Sequence, residues 1–272
     1  MNFIPLTSLP RTGSTLLLYI LDQNPIFEIG PDSEIGRILY HNKEYIQREI
    51  NHFQLPHEKV TECFKNFCVQ GTKAWIEQIT RPEKIFIDKS RHWLKDLDYI
   101  FNLFPNAKIP ITIRDLRGIA NSYEKIHNHS LYIDREFFHE DLNYDIQAFR
   151  VNKCLNVSYI KDGLFSIKEL LQIPKKFKNQ IKFVRYEDLI KNPKQELDNI
   201  YDFLEMPQFD HDFNNIKQGF FHDNPYLPHG IHKIKNKIEY KKETFSEIRQ
   251  DIQHAIVNEY RWYYEEFYPE IL

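Results

Sequence analysis

The chain has 272 residues, with 36 Lys and Arg against 39 Asp and Glu, and its formal net charge is −3. This length is enough to bury a sizeable core, either as one large domain or as two small ones. The charge balance lacks the positive excess typical of nucleic-acid-binding proteins, and no apolar run approaches the roughly 18 residues that span a bilayer. We therefore expect neither a nucleic-acid partner nor a membrane partner, and the composition leaves the oligomeric state open.

The cysteines give no sign of a metal site or of a disulfide framework. Cys63, Cys68 and Cys154 form an odd set without a Cys-x-x-Cys pair, so reduced thiols in a cytosolic protein are the simplest interpretation. A polar glycine turn begins within ten residues of Met1, which leaves no room for a signal peptide. A cytoplasmic location is therefore expected.

Residues 3–21 predict a strand, a polar turn and a helix in immediate succession. An apolar start at residues 3–6 runs into the turn at residues 8–15, and a leucine-rich stretch follows at residues 16–21. The free N–H groups of a first helical turn and the helix dipole both attract negative charge. Because the turn adds hydroxyls and the guanidinium of Arg11, it predicts a binding site for a phosphate or a sulfate.

This turn departs from the nucleotide-binding P-loop, G-x-x-x-x-G-K-[ST], at two positions. When Gly13 is aligned with the second glycine, Ser8 stands at the first glycine and Ser14 replaces the lysine, while Thr15 keeps the hydroxyl. The lysine that bridges the β- and γ-phosphates of ATP is therefore missing, and Arg11 enters from the other side of the loop. The pattern favours a P-loop relative that binds a shorter anion. The alternative is an ordinary strand-turn-helix with a serine cap.

Four apolar strands are predicted, and they lie near residues 3–7, 84–87, 108–113 and 181–185. Helical patterns separate them, so we expect one α/β domain over residues 1–272. The predicted architecture is a P-loop-like, three-layer α/β/α fold around a central parallel sheet of about four to five strands. Residues 30–75 and 125–175 are predicted to be helical coverings of this domain.

Capping signals predict where two of the helices start. Asp32 or Ser33 is expected to cap a helix that begins near Glu34. The last helix is expected to start at a capping box formed by Thr244 and Glu247.

Polar side chains follow the carboxyl ends of the predicted strands, where α/β sheets bind their ligands. Lys89, Ser90 and His92 follow the second strand, Arg114 follows the third, and Tyr186 follows the fourth. An arginine at this edge can bind a phosphate through two parallel hydrogen bonds. The sequence therefore predicts a second anion contact beside the glycine turn.

Several of these residues also have a structural interpretation. Ser90 is a natural helix cap, and Asp88 suits the role of partner to a nearby cation. The remaining alternatives are surface ion pairs that would stabilise the fold only slightly, and these are Arg114 with Asp115 and Arg117 with Glu124.

Residues 219–242 have no strong periodicity and carry a local excess of basic side chains. A solvated loop is the simplest interpretation, and a flexible loop that closes over an anionic ligand is the functional one. The basic side chains are those of His229, His232, Lys233, Lys235, Lys237, Lys241 and Lys242.

Five stretches carry a resemblance to a known family, and these are LPRTGSTLL with LDQNP, DKSRHWL, FPNAKIPITIRDLRGIANSYEK, VRYEDLIKNP and DNPYLPHGIHKIKNKIEY. With them in this order, the sequence resembles the sulfotransferases that use 3′-phosphoadenosine 5′-phosphosulfate, most of all their bacterial and phage-type branch. It is more distantly similar to tyrosylprotein sulfotransferases. The resemblance implies in-line transfer of a sulfuryl group to a hydroxyl or amine of an unidentified acceptor, without a metal.

The resemblance also implies which residues bind the donor. The residues that match the loop holding the 5′-phosphosulfate are Arg11, Thr12, Gly13, Ser14 and Thr15. Arg114 and Ser122 match the pair that holds the 3′-phosphate, and Tyr186 matches a residue that lies near the nucleotide. The late basic segment resembles one that adds nucleotide contacts, with Lys235 or Lys237 as the candidates.

The resemblance further implies the groups that carry the chemistry. Arg11 and Lys89 would stabilise the charge that develops on the sulfuryl and bridging oxygens. In an ungapped overlay, Asp32 stands where tyrosylprotein sulfotransferases have the glutamate that takes the acceptor proton, and Glu34 lies two residues on. His92 lies one residue beyond the histidine of the K-[TS]-H motif of small-molecule sulfotransferases, where this chain has an arginine. Asp32 ranks first as the base, followed by His92 and Glu34.

Overall fold

The structure is a computed structural model, and the stretches that it describes are residues 3–30, 33–54, 56–95, 97–129, 146–172, 175–218 and 234–272. Its strands are β1 (Phe3–Ser8), β2 (Phe27–Ile29), β3 (Ile85–Lys89), β4 (Ile109–Ile113) and β5 (Ile181–Arg185). These strands form one five-stranded sheet in the order β2-β3-β1-β4-β5. All neighbouring strands pair in parallel.

The predicted sheet is confirmed, with one strand added. All four predicted strands are present, and the sheet also contains β2 at one edge, paired with β3. β2 has only three residues, which is too short for alternating hydrophobicity to mark it as a strand.

β1 lies at the centre of the sheet, and its register determines where the following loop emerges. Leu6 lies opposite Lys89 of β3, and Ser8 lies opposite Thr112 of β4. Because the strands are parallel, their carboxyl ends meet at one edge of the sheet. The loop after β1 therefore emerges between the residues that follow β3 and those that follow β4.

Side chains of the strands alternate between two apolar clusters on opposite faces of the sheet. In β3, Phe86 belongs to one cluster and the next residue, Ile87, belongs to the other. Leu6 and Val184 pack in the cluster of Ile87, together with residues such as Leu17 from the first helix. Two clusters on opposite faces of one sheet are the three-layer α/β/α arrangement that the sequence predicts.

Helices supply the outer layers. Those before β4 are α1 (Ser14–Leu21), α2 (Ile35–Glu49), α3 (His57–Ile79) and α4 (Leu97–Leu103). Those after β4 are α5 (Leu116–His129), α6 (Gln147–Asn156), α7 (Ser158–Leu170), α8 (Lys175–Lys178), α9 (Tyr186–Lys191), α10 (Pro193–Leu204), α11 (Gln250–Glu259) and α12 (Arg261–Phe267). Short 3₁₀ turns cover Ile50–His52, Arg91–Leu94 and Pro269–Ile271. None of the described helices is both long enough and apolar enough to cross a membrane.

The start of α2 agrees with its predicted position. The helix predicted to begin near Glu34 begins at Ile35, with Glu34 at the N-cap position and no side-chain cap bond. Ser33, one of the two predicted caps, lies one residue earlier, and its Oγ accepts a hydrogen bond from the Ile35 N–H at 3.3 Å. The other predicted cap, Asp32, lies outside the described residues. Residues 130–145 of the predicted helical covering and residues 219–233 of the predicted basic loop also lie outside the described residues.

The predicted capping box at Thr244 and Glu247 is wrong, because the last helical region begins later, at Gln250. Phe245 has a left-handed φ of 49°, which interrupts any helical path from Thr244. The Glu247 N–H donates instead to Asn121 Oδ1 of α5 at 2.9 Å. The segment before α11 is therefore fixed by a contact with α5.

A buried ion pair joins α5 to α6. Arg150 Nη2 donates to Glu124 Oε2 at 2.7 Å, and 8% and 4% of the two side chains are exposed. Gln147 Nε2 donates to the same carboxylate at 3.0 Å. The predicted surface pair between Arg117 and Glu124 is therefore wrong, since Arg117 pairs with Asp115.

We expect Arg150→Met to destabilise the fold by about 3–5 kcal/mol, because it would leave the Glu124 carboxylate buried without its cation. The matched control is Arg261→Met, which removes an exposed partner of Glu265 and should cost about 0.3–0.5 kcal/mol. Urea unfolding of both variants measures the two losses, and equal losses would contradict the structural importance of the buried pair.

Candidate functional site

The loop between β1 and α1 contains two left-handed backbone positions, Arg11 with φ 62° and Gly13 with φ 79°. A Cβ atom at Gly13 would lie 2.5 Å from Tyr186 Cδ2, so both the φ angle and the close contact require glycine. The Leu17 N–H donates to the Gly13 carbonyl at 3.0 Å. The loop therefore leads directly into the N-terminus of α1, as the predicted anion site requires.

Thr12 fixes the shape of this loop from inside the protein. Its buried hydroxyl donates to the Leu9 carbonyl at 2.7 Å. The Thr112 hydroxyl of β4 lies 2.7 Å from the Thr12 oxygen and donates to it, since the Thr12 proton is already engaged. Sequence reasoning missed Thr112, whose one signal is a lone hydroxyl in the strand IPITI.

Lys89 lies beside the first turn of α1. Its Nζ is 3.4 Å from Thr15 Oγ1, and Ser8 Oγ donates to Ser14 Oγ at 3.1 Å across the loop. The loop itself carries Ser14 where the P-loop motif has its lysine. The structure therefore places a lysine at the turn after all, but the lysine comes from the neighbouring strand β3.

Arg11 extends from the loop toward α5. Its Nε donates to Ser122 Oγ at 2.9 Å. Burial lowers the pKa of the Arg11 guanidinium, and the positive charge of Arg114 lowers that pKa further. Both effects disfavour the charged form of Arg11, so an anion bound in the cleft would stabilise it.

Arg114 joins the loop to the rest of the site. Its Nη1 donates to the Arg11 carbonyl at 2.8 Å, its Nη2 donates to the carboxylate of Glu243, and its guanidinium lies 4.4 Å from the centroid of the Tyr186 ring. The side chain is 12% exposed. The alternative pairing of Arg114 with Asp115 is wrong, because that carboxylate pairs with the next arginine along the chain.

Glu243 is a site residue that sequence reasoning missed. It follows Lys241 and Lys242. The positive charge of that segment drew attention to its lysines and away from Glu243. Its carboxylate reaches across to a residue 129 positions earlier in the chain. No local pattern in the sequence signals a contact over such a separation.

Two tyrosines of α12 support the backbone that carries Arg114. The Tyr263 hydroxyl donates to the Arg114 carbonyl at 3.0 Å, and the Tyr264 hydroxyl donates to Asp115 Oδ1 at 2.8 Å. Both rings are fully buried. They hold the end of β4 in place, so the direction in which Arg114 leaves the sheet depends on α12.

Glu187 extends this support to the end of β5. Its Oε1 accepts from the Asp115 N–H at 3.0 Å, and its Oε2 accepts from the Tyr268 hydroxyl at 2.8 Å. Burial raises the pKa of the Glu187 carboxyl, and these hydrogen bonds oppose that rise. The neighbouring Tyr186 lines the cleft, and the hydrogen bonds of Glu187 hold the backbone beside it in place.

Asp88 has a structural role at the end of β3. Its carboxylate accepts from Trp93 Nε1 at 2.8 Å and from the Ser33 N–H at 3.0 Å, and the residue is fully buried. These bonds connect the end of β3 with the start of α2, on the side of the cleft that contains Lys89.

Two of the three candidate bases, His92 and Glu34, lie among the described residues. The Ser90 hydroxyl accepts from the His92 N–H at 3.3 Å, which confirms Ser90 as a cap, and His92 Nδ1 lies 3.4 Å from the same oxygen. Glu34 pairs with Arg37 at 2.5 Å and its side chain is 46% exposed. Asp32 lies outside the described residues. Within the described part of the chain, neither His92 nor Glu34 lines the cleft.

One cleft of about 790 Å³ lies at the carboxyl edge of the sheet. Its wall includes most of the residues predicted to bind or transform a ligand, and these are Arg11, Gly13, Ser14, Thr15, Lys89, Arg114, Tyr186, Lys235 and Lys237. Ser122 is not a lining residue, but it accepts a hydrogen bond from Arg11, which is one. Among the residues that the structure describes, no group of three or more His, Cys, Asp or Glu side chains is placed to hold a metal ion.

Lys235 and Lys237, the two candidates from the basic segment, both line the cleft. Lys237 Nζ lies 2.5 Å from a carboxylate oxygen of Glu239, and Lys235 Nζ lies 3.9 Å from the other. The two lysine side chains are 68% and 51% exposed for Lys235 and Lys237. Exposed pairs of this kind contribute little stability, so either lysine can turn toward an anion in the cleft.

The chain belongs to the sulfotransferase family, because a model of that family matches residues 4–211. The match includes all of the sheet except Phe3, together with the glycine loop, Arg114 and Tyr186. It ends before Glu243 and before the tyrosines of α12. The glycine loop, Arg114 and Tyr186 therefore lie inside the family match, and Glu243 and the tyrosines of α12 lie outside it.

Curated relatives of the chain are protein-tyrosine sulfotransferases. The chain is 26% identical to protein-tyrosine sulfotransferase A of Caenorhabditis elegans over 216 residues, which cover 75% of this chain and 50% of that protein. It is 25% identical to the protein-tyrosine sulfotransferase of Drosophila melanogaster over 214 residues, which cover 76% of this chain and 38% of that protein. The matched region thus spans half or less of the length of these relatives.

Solved sulfotransferase structures share the fold. The sulfotransferase domain from the curacin biosynthetic pathway superposes with a TM-score of 0.54 at 18% identity, covering 95% of this chain and 96% of that chain. The sulfotransferase from Alicyclobacillus acidocaldarius gives a TM-score of 0.53 at 14% identity, covering 96% of this chain and 91% of that chain. At these identities the similarity concerns the fold.

We expect Gly13→Ala to destabilise the protein by at least about 1–2 kcal/mol, the approximate cost of a left-handed backbone at a residue with a Cβ. The contact with Tyr186 adds to that loss. The control is Gly71→Ala in α3, where a Cβ meets nothing within 4 Å and should stabilise the helix by about 0.5–1 kcal/mol. Urea unfolding measures both changes. A Gly13→Ala variant as stable as the wild type would contradict the loop geometry described here.

Proposed function

We propose that this chain transfers a sulfuryl group from 3′-phosphoadenosine 5′-phosphosulfate to a hydroxyl or amine of an acceptor. The observation that carries the proposal is the pair of partly buried guanidinium groups, Arg11 and Arg114, that line one cleft beside a glycine turn. Two such cations suit a donor with anionic groups at both its 5′ and 3′ positions. Membership of the sulfotransferase family supports the same reaction.

The residues present fit this donor. The N-terminal turn of α1 and Lys89 would hold the 5′-phosphosulfate, because N–H groups at a helix N-terminus and a lysine beside them favour negative charge. Arg114 would hold the 3′-phosphate, and it already binds a carboxylate, that of Glu243. Its Nε is buried without a hydrogen-bond partner among the described residues, which leaves a donor for a further oxygen.

The donor would supply an activated sulfuryl group: as the acceptor attacks sulfur in line, the bond from sulfur to the bridging oxygen would break and 3′,5′-adenosine bisphosphate would leave. The contribution of this chain is to position the two reactants and to stabilise negative charge on the oxygens around the sulfur. We assign the charge stabilisation to Arg11, Lys89 and the N–H groups of the loop. Lys89 is suited to it because it lies beside Thr15, at the start of α1.

A carboxylate or an imidazole takes the acceptor proton in this proposal. Asp32 is the first candidate, followed by His92 and Glu34. Ser33 gives some support to the first choice, because its N–H donates to Asp88 at the end of β3. The segment next to Asp32 is thus fixed to the strand that carries Lys89.

Calorimetric titration with 3′,5′-adenosine bisphosphate, run beside magnesium-ATP, tests the donor site. The bisphosphate is expected to bind, and Arg114→Ala should weaken its binding by about 10- to 100-fold, the value of a lost charge-assisted hydrogen bond to phosphate. The control is Arg249→Ala, which removes an exposed partner of Asp251 and should leave the affinity unchanged. Preference for magnesium-ATP would overturn the proposal in favour of a kinase, and wild-type affinity in Arg114→Ala would refute the role of Arg114.

Replacement of the three candidate bases tests the proton transfer. With labelled donor and a panel of phenolic, sugar, peptide and amine acceptors, Asp32→Asn should lower kcat about 10²–10⁴-fold, the usual contribution of a general base. Its affinity for the bisphosphate should stay unchanged. His92→Asn and Glu34→Gln are measured beside it, and a larger kcat loss in either would move the assignment to that residue. If kcat falls less than tenfold in all three variants, none of the three residues is the general base.

A further inference from the structure

Glu243 occupies the position that the proposed function gives to the 3′-phosphate of the donor. Its carboxylate accepts from Arg114 Nη2, and the two side chains are 21% and 12% exposed. Arg114 is the residue proposed to hold that phosphate. A carboxylate of the chain itself is therefore bound where an anion of the ligand is expected.

The surroundings of this carboxylate are those of an anion site. Gly118, in the first turn of α5, approaches so closely that a Cβ there would lie 2.6 Å from Glu243 Oε2 and 2.8 Å from Arg114 Nε. N–H groups and the helix dipole favour negative charge at such a turn. Glu243 Oε2 and Arg114 Nε are both buried, and neither has a hydrogen-bond partner in the described residues. The carboxylate therefore satisfies the site only in part, whereas a phosphate brings more oxygens.

We propose that Glu243 is an internal competitor for the 3′-phosphate, and that it sets how tightly the protein holds the donor and the bisphosphate product. This inference rests on the proposed function, since it takes Arg114 as the ligand of the 3′-phosphate. In the empty protein Glu243 pairs with Arg114, which keeps a largely buried guanidinium from being left without an anion. When the nucleotide binds, its phosphate replaces the carboxylate.

The two anions cannot share Arg114 because of their mutual repulsion. Like charges in a poorly solvated site raise each other's free energy strongly, so a bound phosphate requires the carboxylate to leave. The affinity for any ligand that uses Arg114 is then lowered by the cost of breaking the Arg114–Glu243 pair. Release of the product is favoured by the same amount, because the carboxylate returns as the phosphate departs.

The competitor belongs to a part of the chain beyond the family match, which ends at residue 211. The glycine loop, Lys89 and Arg114 lie inside that match, and Glu243 lies outside it. A substitution at Glu243 can therefore change the affinity for the donor without any change to the residues that hold the donor.

The experiment compares two nucleotides that differ in the 3′-phosphate. We expect Glu243→Gln to bind 3′,5′-adenosine bisphosphate about tenfold or more tightly than the wild type, as removal of a charge-assisted competitor implies. Adenosine 5′-monophosphate has no 3′-phosphate and should bind both proteins equally. Stopped-flow displacement should show a correspondingly slower dissociation of the bisphosphate from the variant.

The matched control is Glu247→Gln, which makes the same change of charge four residues along the same segment. Glu247 accepts from Asn128 Nδ2 at 3.1 Å and does not line the cleft. Glu247→Gln should leave the affinities for the bisphosphate and the monophosphate unchanged. A change in either affinity in this variant would indicate a general effect of charge.

The outcomes separate this inference from the proposed function. Unchanged or weaker bisphosphate binding in Glu243→Gln would overturn the inference, and weaker binding would make Glu243 a residue that positions Arg114. Glu243→Ala is measured as a second variant, and retained binding of the monophosphate shows that each variant is folded. If the wild type itself fails to bind the bisphosphate, the proposed function fails and the inference fails with it.

Discussion

The guanidinium of Arg114 is the group on which the architecture of the cleft depends. It donates to the backbone carbonyl of Arg11, and so sets the shape of the glycine loop from the neighbouring strand. It lies over the ring of Tyr186, and that ring in turn fills the space that Gly13 leaves open. A loop with two left-handed residues is costly to maintain, and this side chain ties it to β4 and β5 together.

The guanidinium of Arg114 also requires a negative charge nearby. Burial lowers the pKa of Arg11, and Arg114 lies close enough to Arg11 for its charge to lower that pKa further. Two largely buried cations of this kind stabilise the protein only when an anion lies between or beside them. Glu243 supplies such an anion for Arg114, and Ser122 accepts a hydrogen bond from Arg11. We infer that the cleft exchanges this internal anion for an external one when a ligand binds.

The sheet and the glycine loop could be predicted from the sequence because their signals are local. Each of the four predicted strands is a short apolar run that ends in polar residues, and Gly13, Ser14 and Thr15 follow within seven residues of the end of the first strand. Pro5 and Pro110 lack a backbone N–H donor and so argue against central strands. β1 and β4 are nevertheless predicted by their apolar residues. Once the strands are parallel, the meeting of Lys89, Arg114 and the loop at one edge follows from topology alone.

The residues that complete the cleft could not be predicted, because their partners lie far away along the chain. The Tyr263 hydroxyl reaches a carbonyl 149 positions earlier, and an aromatic residue in a helical pattern predicts burial without naming the partner of its hydroxyl. The capping box at Thr244 failed for a related reason, since Asn121 of α5 binds the Glu247 N–H that a local cap would have used. Tertiary contacts overruled a local rule at the positions where the cleft closes.

The support that α12 gives to β4 and β5 bears on how the protein is made. Ribosomes deliver the glycine loop first and the tyrosines of α12 more than two hundred residues later, and domains generally fold as units during synthesis. Until Tyr263, Tyr264 and Tyr268 have emerged, the ends of both strands lack the hydroxyls that fix them. A nascent chain therefore holds the loop without a rigid Arg114 beside it, and the cleft is complete only after α12 has been synthesised.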